Sequence, residues 1–259
     1  SSVTDNIGVY STMHIFAVHP LMAAKHMATI DHISGGRYGF NLVCGWFPPE
    51  YQMFGIPMPE HDERYAYAAE WLEVVDCLWT SDEPFDFNGK FFQLKQLQMK
   101  PKPVRRPRIM NAGASETGAR FAAEHADMAF IGVLEHESEQ QKRANVDRLR
   151  NTARDEFGRD IEVWSGAWVL CRPTEEEAQA EYRRVLVEEG DYSIIDSMPP
   201  GVVPPLDDMP KEEADMMRAK LLAGFGSIHL VGTPEQVADK LEAMSAIGLD
   251  GIVLTFVDY

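Results

Sequence analysis

Short apolar segments alternate with amphipathic segments along most of the chain, and this pattern predicts a succession of strands and helices. Six segments have the length and apolar content of buried strands, and turn residues bound them. These predicted strands are 7–13, 37–44, 107–111, 128–133, 161–171 and 251–256. Helical periodicity fills most of the intervals. Because strands and helices alternate so regularly, the sequence predicts an α/β fold with a parallel sheet.

Several helix boundaries carry their own signals. The helix predicted over 19–34 ends at Gly35-Gly36. Thr174 and Thr233 are each followed three positions later by Glu or Gln, which is the capping-box arrangement at a helix start. The buried face of the first helix is predicted to hold Met22, Met27, Ile30 and Ile33.

The number of predicted strands bears on the architecture. A chain of 259 residues has the length of an eight-stranded TIM-type barrel, which takes roughly 250 residues. Only six barrel strands are predicted, so we expect a (β/α)8 barrel that lacks its first two strand–helix units. Residues 186–225 interrupt the alternation with two Pro-Pro pairs and a Met-rich helix near 211–222. Strands resume afterwards, which predicts a single domain over 1–259 with an insertion at about 186–225.

Charge and composition narrow the possible partners. The formal net charge is −17 and no basic run is present, so neither nucleic acid nor an anionic membrane is expected as a partner. No apolar stretch reaches the roughly 18 residues of a membrane span, and a cytoplasmic location is expected by default.

Cys44, Cys77 and Cys171 lie far apart inside apolar stretches, which predicts buried free thiols rather than disulfides or a zinc site.

Functional groups of a parallel barrel lie where its strands end. Asn41 lies late in the second strand, and its amide can donate and accept hydrogen bonds at the edge of a heteroaromatic ring. A core asparagine satisfied by the backbone is the alternative. Arg64 lies in the first turn of the long helix, where the helix dipole disfavours a cation. It is expected to face an anion or a carboxylate such as Glu50, unless it is simply solvated.

A second candidate site is the segment Asn111-Ala112-Gly113-Ala114-Ser115, which follows a strand and begins a helix. Its small residues, free backbone N–H groups and capping hydroxyl predict a phosphate site, although an ordinary serine N-cap has the same pattern. The segment lacks the glycine spacing of a dinucleotide fingerprint or a P-loop, which favours a mononucleotide phosphate.

The histidines offer one candidate and no metal site. His14 ends the first strand and is a candidate general base or hydrogen-bond partner for a substrate, although a lone histidine is more often structural. His19, His26 and His32 have no carboxylate or cysteine at ligand spacing on one helix face, so no metal is predicted.

Taken together, several motifs resemble those of the luciferase-like flavin monooxygenases. The motifs are Ser34-Gly35-Gly36-Arg37, Asn41-Leu42-Val43 with Gly45-Trp46, Glu50-Tyr51, His61 to Tyr65 and Asn88-Gly89-Lys90. The resemblance covers nearly the whole chain, and within the family the pyrimidine, dimethylsulfone and alkanesulfonate monooxygenases are the most similar. It implies a TIM-type barrel, of which the first two strand–helix units and the C-terminal closing helix have no counterpart in this sequence.

The resemblance also implies the cofactor and the reaction. FMN would contact Asn41, Glu50, Arg64, Tyr65, Gly113, Ala114 and Ser115, with Ser115 and its neighbouring amides nearest the phosphate. A separate flavin reductase would supply reduced FMN, which reacts with O2 to a flavin peroxide that oxygenates a small organic substrate. The protein would exclude water and position that substrate. Family members are commonly dimers or tetramers, so a homo-oligomer is expected, with Met22, His26 and Met27 as a candidate interface.

Departures from the family pattern bear on the substrate. In the sulfonate enzymes a late barrel strand carries an arginine and a histidine, where this chain has Gly166 and Trp168. A sulfonate would lose its charge partners there, which favours an uncharged substrate such as a sulfone or a heterocycle. Trp168 is therefore a candidate for the catalytic site, lining an apolar pocket with Trp46, and a buried structural tryptophan is the alternative.

Two other functions stay open at this point. The chain resembles truncated members of the family, so a catalytically silent flavin-binding protein is one alternative. An oxidoreductase that transfers hydride with a deazaflavin cofactor on the same fold is the other. Glu50, Arg64 and Tyr65 resemble the FMN branch, which makes the deazaflavin alternative the weakest of the three.

Overall fold

A computed structural model describes residues 3–134, 137–198, 203, 205–206, 209–224 and 227–257. The chain folds into two compact units, Ser1–Ala129 with Thr152–Ile161 and Phe130–Asn151 with Glu162–Tyr259. The strands are β1 Val9–His14, β2 Tyr38–Val43, β3 Phe85–Asn88, β4 Gln93–Leu97, β5 Arg108–Asn111, β6 Met128–Phe130, β7 Glu162–Cys171, β8 Ile228–Gly232 and β9 Gly251–Phe256. The helices are α1 Pro20–Ser34, α2 Pro48–Met53, α3 His61–Thr80, α4 Glu116–His125, α5 Glu139–Phe157, α6 Glu175–Arg183, α7 Ser193–Asp196, α8 Lys211–Leu222 and α9 Pro234–Ala246.

The first unit is built on parallel strands in the order β1, β2, β5 and β6. The register pairs His14 of β1 with Val43 of β2, and it pairs Asn41 of β2 with Met110 of β5. Parallel pairing brings the carboxyl ends of β1, β2 and β5 to one edge. The predicted α/β class with a parallel sheet is confirmed in this unit, and the edge collects the residues that follow its strands.

Helix α1 has the predicted bounds but buries a different face. Gly35 ends it in the left-handed conformation, at φ 65°. Its buried residues include Ala23, Ala24, Met27 and Ala28. Met22 is 48% exposed and Ile33 is 62% exposed, so the predicted face is wrong at these two residues, whereas Met27 is buried and Ile30 is half-buried. Small side chains let α1 approach β2 and α3 closely, which leaves no room for the larger ones. Because Met27 is buried, it cannot take part in the predicted oligomer interface.

Residues 81–106, for which no strand is predicted, contain the antiparallel hairpin β3–β4. The carboxylate of Glu70, on α3, holds its turn by accepting hydrogen bonds from the N–H groups of Lys90, Phe91 and Phe92 at 2.6–2.9 Å. A Cβ on Gly89 would lie 2.0 Å from Glu70 Oε1, so a larger residue there would displace the carboxylate that holds the turn. The motif around Gly89 therefore has a structural role.

The second unit is built around the long strand β7. It pairs in parallel with β8 from Ala167 to Cys171 and with β9 from Trp164 to Val169. The sequence does not predict β8, because this short apolar segment directly follows the predicted insertion. Helices α6 and α9 begin with the predicted capping boxes at Thr174 and Thr233, and both boxes are confirmed.

The region predicted as an insertion holds a π-helical segment, Arg184–Glu188, followed by α7 and α8. Helix α8 confirms the Met-rich helix predicted near 211–222. Pro199, Pro200 and Pro204 of the two Pro-Pro pairs lie outside the described residues.

The three cysteines are free, as predicted, but they differ in burial. Cys44 is buried, Cys77 is half-buried and Cys171 is exposed. The prediction of burial was wrong for Cys171, because it is the last residue of β7, where the strand leaves the core. Among the described residues, no group of three or more His, Cys, Asp or Glu side chains could hold a metal ion. No described helix has the length and apolar content needed to cross a membrane.

Candidate functional site

The predicted site residues of the first unit lie around the carboxyl ends of β1, β2 and β5. His14 is the last residue of β1, and Asn41 lies late in β2. Arg64 and Tyr65 lie in the first turns of α3, and Ser115 is the N-cap of α4.

Asn111 fixes the turn between β5 and α4. Its buried side chain donates from Nδ2 to the Leu42 carbonyl at 2.9 Å and accepts at Oδ1 from the Gly113 N–H at 3.0 Å. These bonds tie the turn to β2. The sequence places Asn111 in the candidate phosphate segment but predicts no separate role for its side chain. An asparagine at a strand end, two positions before a glycine, is the signal that could have identified it.

Helix α4 begins with backbone amides that are free to bind a ligand. The Ser115 Oγ accepts a hydrogen bond from the Gly118 N–H at 3.0 Å, which caps the helix. Four further N–H groups donate to no atom of the described residues, those of Ala114, Ser115, Glu116 and Thr117. Free amides and the positive end of the helix dipole together suit a phosphate.

The glycines of this turn make room for Tyr65. A Cβ on Gly113 would lie 2.8 Å from the Tyr65 hydroxyl oxygen, and one on Gly118 would lie 2.5 Å from it. The hydroxyl therefore reaches the start of α4. Burial raises the pKa of Tyr65, which keeps the phenol neutral. The Gly113 N–H was expected to be free, and this was wrong because it is bonded to Asn111.

Arg64 has a partly unsatisfied guanidinium. Its Nη1 donates to the Pro59 carbonyl at 2.9 Å, whereas its buried Nε has no hydrogen-bond partner. Of the two expected partners, a carboxylate such as Glu50 is wrong, because none forms an ion pair with Arg64 in the described residues, and an anion stays a prediction. Burial raises the pKa of Cys44 to about 12 and that of Tyr51 to about 12, and the charge of Arg64 opposes both shifts. Arg64 thus brings an uncompensated positive charge to a buried region.

Glu50 faces His14 instead. Its Oε2 lies 3.6 Å from His14 Nε2, and both ring nitrogens of His14 are buried without a hydrogen-bond partner. Burial lowers the pKa of His14 more than the nearby Glu50 carboxylate raises it. The ring is therefore neutral at pH 7, with one donor and one acceptor available.

Three aromatic rings surround His14. The ring centroids of Tyr51, Phe54 and Phe16 lie 5.5, 5.8 and 6.2 Å from that of His14. Tyr51 is buried, and a Cβ on Gly45 would lie 2.0 Å from its hydroxyl oxygen. The sequence does not predict this group of rings, because Pro48-Pro49-Glu50-Tyr51 has the pattern of a loop, whereas Pro48–Met53 forms α2.

Asn41 has a buried Oδ1 without a hydrogen-bond partner. The alternative of a core asparagine satisfied by the backbone is therefore wrong for this oxygen. A buried polar atom without a partner costs about 1–3 kcal/mol. Asn41, Arg64 and His14 all contain such atoms, so this edge of the sheet offers polar groups that a bound ligand can satisfy.

Trp168 belongs to the second unit, where it is packed in an apolar cluster. Its side chain is 6% exposed and lies in edge-to-face contact with Tyr182, at 5.8 Å between centroids. The Tyr182 hydroxyl hydrogen-bonds His229 Nδ1 at 2.9 Å. This packing agrees with the structural alternative, and the catalytic role of Trp168 stays a prediction. Trp46 belongs to the first unit and is 53% exposed.

The chain belongs to the luciferase-like monooxygenase family, because the family described as "Luciferase-like monooxygenase" matches residues 1–251. The resemblance inferred from the motifs is confirmed. An FMNH2-dependent dimethylsulfone monooxygenase from Pseudomonas putida is 32% identical over 93% of this chain and 66% of its own length. The pyrimidine monooxygenase RutA of Allorhizobium ampelinum is 32% identical over 100% of this chain and 72% of its own length. The chain thus spans slightly less than two thirds of the dimethylsulfone relative.

Solved structures confirm the predicted fold class, a TIM-type α/β fold. DmoA from Hyphomicrobium sulfonivorans superposes with a TM-score of 0.79 and 26% identity, over 98% of this chain and 64% of DmoA. A riboflavin lyase, RcaE, solved with modified FMN and riboflavin, has a TM-score of 0.79 and 26% identity, over 98% of this chain and 67% of RcaE.

Proposed function

We propose that this protein is an FMNH2-dependent monooxygenase of a two-component system. The observation that carries the proposal is the set of buried, unpartnered polar atoms of Asn41 and Arg64, on the same unit as the free amides of α4. The relatives named as FMNH2-dependent dimethylsulfone monooxygenases support the choice of cofactor.

The residues present fit FMN. The amides of Ala114 and Ser115 and the Ser115 hydroxyl would hold the phosphate, with the hydroxyl of Tyr65 beside them. Asn41, Glu50 and Arg64 would contact the polar edge of the ring system, where the Asn41 oxygen and the Arg64 Nε gain partners. When bound in its reduced form, FMN supplies the electrons that activate O2.

The residues around His14 would position the substrate. Tyr51, Phe16 and Phe54 present apolar surfaces that exclude water, and water exclusion protects a reactive oxygenating species. The neutral imidazole can donate one hydrogen bond and accept another, which suits an uncharged polar group. His14 is therefore proposed as the residue that orients the substrate, and a separate catalytic role is proposed for Trp168 of the second unit.

A small uncharged substrate, a sulfone or a pyrimidine-like ring, completes the proposal. Gly166 and Trp168 leave a sulfonate without charge partners at the positions compared above. Relatives named for dimethylsulfone and for pyrimidine support the same class. A flavin reductase as the source of reduced FMN, a homo-oligomeric assembly and a cytoplasmic location belong to the same proposal.

The test is a reductase-coupled assay under ¹⁸O2 with dimethyl sulfone, uracil and methanesulfonate as substrates. We expect one ¹⁸O atom in the product of the sulfone or of the pyrimidine, detected by mass spectrometry, and no turnover of methanesulfonate. Flavin binding without any labelled product would favour the catalytically silent alternative. Turnover with a deazaflavin but not with FMN would favour the hydride-transfer alternative, and either result would reject the proposal.

A further inference from the structure

The second unit contains a cavity of about 400 Å³ between α6, the π-helical segment and α8. Tyr182, Val187 and Met216 give it apolar walls, and Gln179, Arg183 and Lys211 lie at its polar side. Sites of a few hundred Å³ that combine an apolar lining with a few polar groups are typical of small-molecule binding.

The charges of the cavity are unbalanced in favour of cations. Neither Arg183 nor Lys211 has a side-chain hydrogen bond or ion pair within the described part of the chain. Among the described lining residues, the one acidic side chain is that of Asp215, which is paired with Arg218 at 3.9 Å. Arg218 in turn keeps a buried Nε without a partner. In a chain with a net charge of −17, unpaired cations beside one cavity indicate that an anionic group fits there.

One wall of the cavity has an unusual backbone. Val187 belongs to the five-residue π-helical segment Arg184–Glu188 that follows α6. Fewer than about one residue in a hundred is π-helical, and such segments occur frequently at functional sites. The Tyr192 hydroxyl hydrogen-bonds the carbonyls of Leu186 and Val187, so the fold stabilises this backbone instead of leaving it unsatisfied.

We propose that this cavity is a second ligand site, and that it binds a small organic anion with an apolar body, such as a medium-chain carboxylate. The apolar body lies against Tyr182, Val187 and Met216. The anionic head lies by Arg183 and Lys211, with Gln179 as a hydrogen-bond donor. Because all of these residues belong to the second unit and none of them belongs to the proposed flavin site, binding here does not depend on the proposed oxygenation.

The test is calorimetric titration of the full chain with octanoate and with octanamide, which has the same body and no charge. We expect saturable octanoate binding with a Kd on the order of 1 mM or tighter. Octanamide should bind several-fold more weakly. Arg183→Gln and Lys211→Gln should each weaken octanoate binding about threefold to fivefold. Lys142→Gln, which removes the same charge elsewhere in the second unit, should leave it unchanged.

Two substitutions of Met216 test the apolar wall of the cavity without removing a cation. Met216 is 43% exposed, so a charge there is compatible with folding. Met216→Glu should weaken octanoate binding, whereas Met216→Lys should maintain or strengthen it. The proposal is overturned by three results: no saturable binding of octanoate at about 20 mM, equal binding of octanoate and octanamide, or equal effects of Lys142→Gln and Arg183→Gln.

Discussion

Two regions of the molecule, the apolar cluster around Trp168 and the strand ends of the first unit, treat their buried polar groups differently. In the apolar cluster of the second unit, Tyr182 and His229 are buried beside Trp168, and they satisfy each other at 2.9 Å. In the first unit, His14, Asn41 and Arg64 keep buried polar atoms without partners. A paired buried group is nearly neutral for stability, and an unpaired one costs about 1–3 kcal/mol. We infer that the first of these regions is optimised for folding and the second for binding.

Unpaired atoms alone do not define a site. Asp31 also has a buried oxygen without a partner, yet its second oxygen accepts from the Val104 and Arg105 N–H groups and holds a loop against α1. What distinguishes the first unit is that its unpaired atoms come from three different elements, β1, β2 and α3, and that α4 of the same unit begins with free amides.

The largest expected effect is in the apolar cluster. Trp168→Ala removes a buried ring and should lower the free energy of unfolding by about 3–5 kcal/mol, measured by chemical denaturation. Trp46→Ala, at a half-exposed position, is the control and should cost less than about 1 kcal/mol. Trp168→Phe should keep turnover. Full stability of Trp168→Phe combined with loss of turnover would instead support the catalytic role predicted from the sequence.

The next largest effect is a change in the free energy of unfolding that has opposite signs in the two regions. Tyr182→Phe leaves His229 without its hydroxyl partner and should lower the free energy of unfolding by about 1–3 kcal/mol. Asn41→Leu removes an oxygen that has no partner and should raise the free energy of unfolding by up to about 1 kcal/mol. The same variant should bind FMN more weakly. If both variants destabilise the protein equally in the absence of ligand, the distinction between the two regions is wrong.

A smaller effect on stability is expected from substitutions at two helix N-caps. Ser115→Ala and Thr174→Ala each remove a side chain that accepts a backbone N–H, so each should cost about 1 kcal/mol of stability. Only Ser115→Ala should reduce the preference for FMN over riboflavin, because only Ser115 is proposed to contact the phosphate. Calorimetric titration with the two flavins measures that preference, and an equal loss in both variants would argue against a phosphate site.

The smallest effect is a pH dependence. The pKa of His14 is lowered by burial, so the unfolded chain binds the proton more readily than the folded chain below the ordinary value of 6.5. The free energy of unfolding should therefore fall as the pH decreases from 6.5 towards the folded-state pKa. His14→Gln should show a flatter profile in denaturation curves from pH 7.5 to about 5. His125, whose pKa burial also lowers, is present in both proteins and cancels in the comparison. Identical profiles would contradict the neutral, buried state of His14.

Much of the fold and part of the candidate site could be predicted from the sequence, because the sequence signals for them are local. Strand–helix alternation, the capping boxes at Thr174 and Thr233 and the serine N-cap at Ser115 depend on neighbouring residues. The strand ends then identified Asn41 and His14 as candidates. The short strand β8 and the hairpin β3–β4 were missed, because their pairing involves residues distant in sequence.

The errors share one physical cause, which is that burial and partner choice depend on tertiary packing. The alanines of α1 are buried because a neighbouring helix packs closely against them. Hydrophobic periodicity instead favours the larger residues of the helix as its buried face. Glu50 faces His14 and not Arg64, because α2 turns its side chain towards the end of β1. That choice depends on how α2 packs, which no spacing between residues encodes.

Titration of the wild-type chain and the Arg64→Met variant with reduced FMN, under anaerobic conditions, tests the central claim most directly. Methionine fills much of the space of the arginine without its charge or its unpartnered Nε. We expect the wild type to bind reduced FMN. We expect Arg64→Met to bind it at least about tenfold more weakly, a difference of about 1.4 kcal/mol in binding free energy, with no loss of stability. Equal affinities of the two proteins, or no binding by the wild type, would contradict that claim.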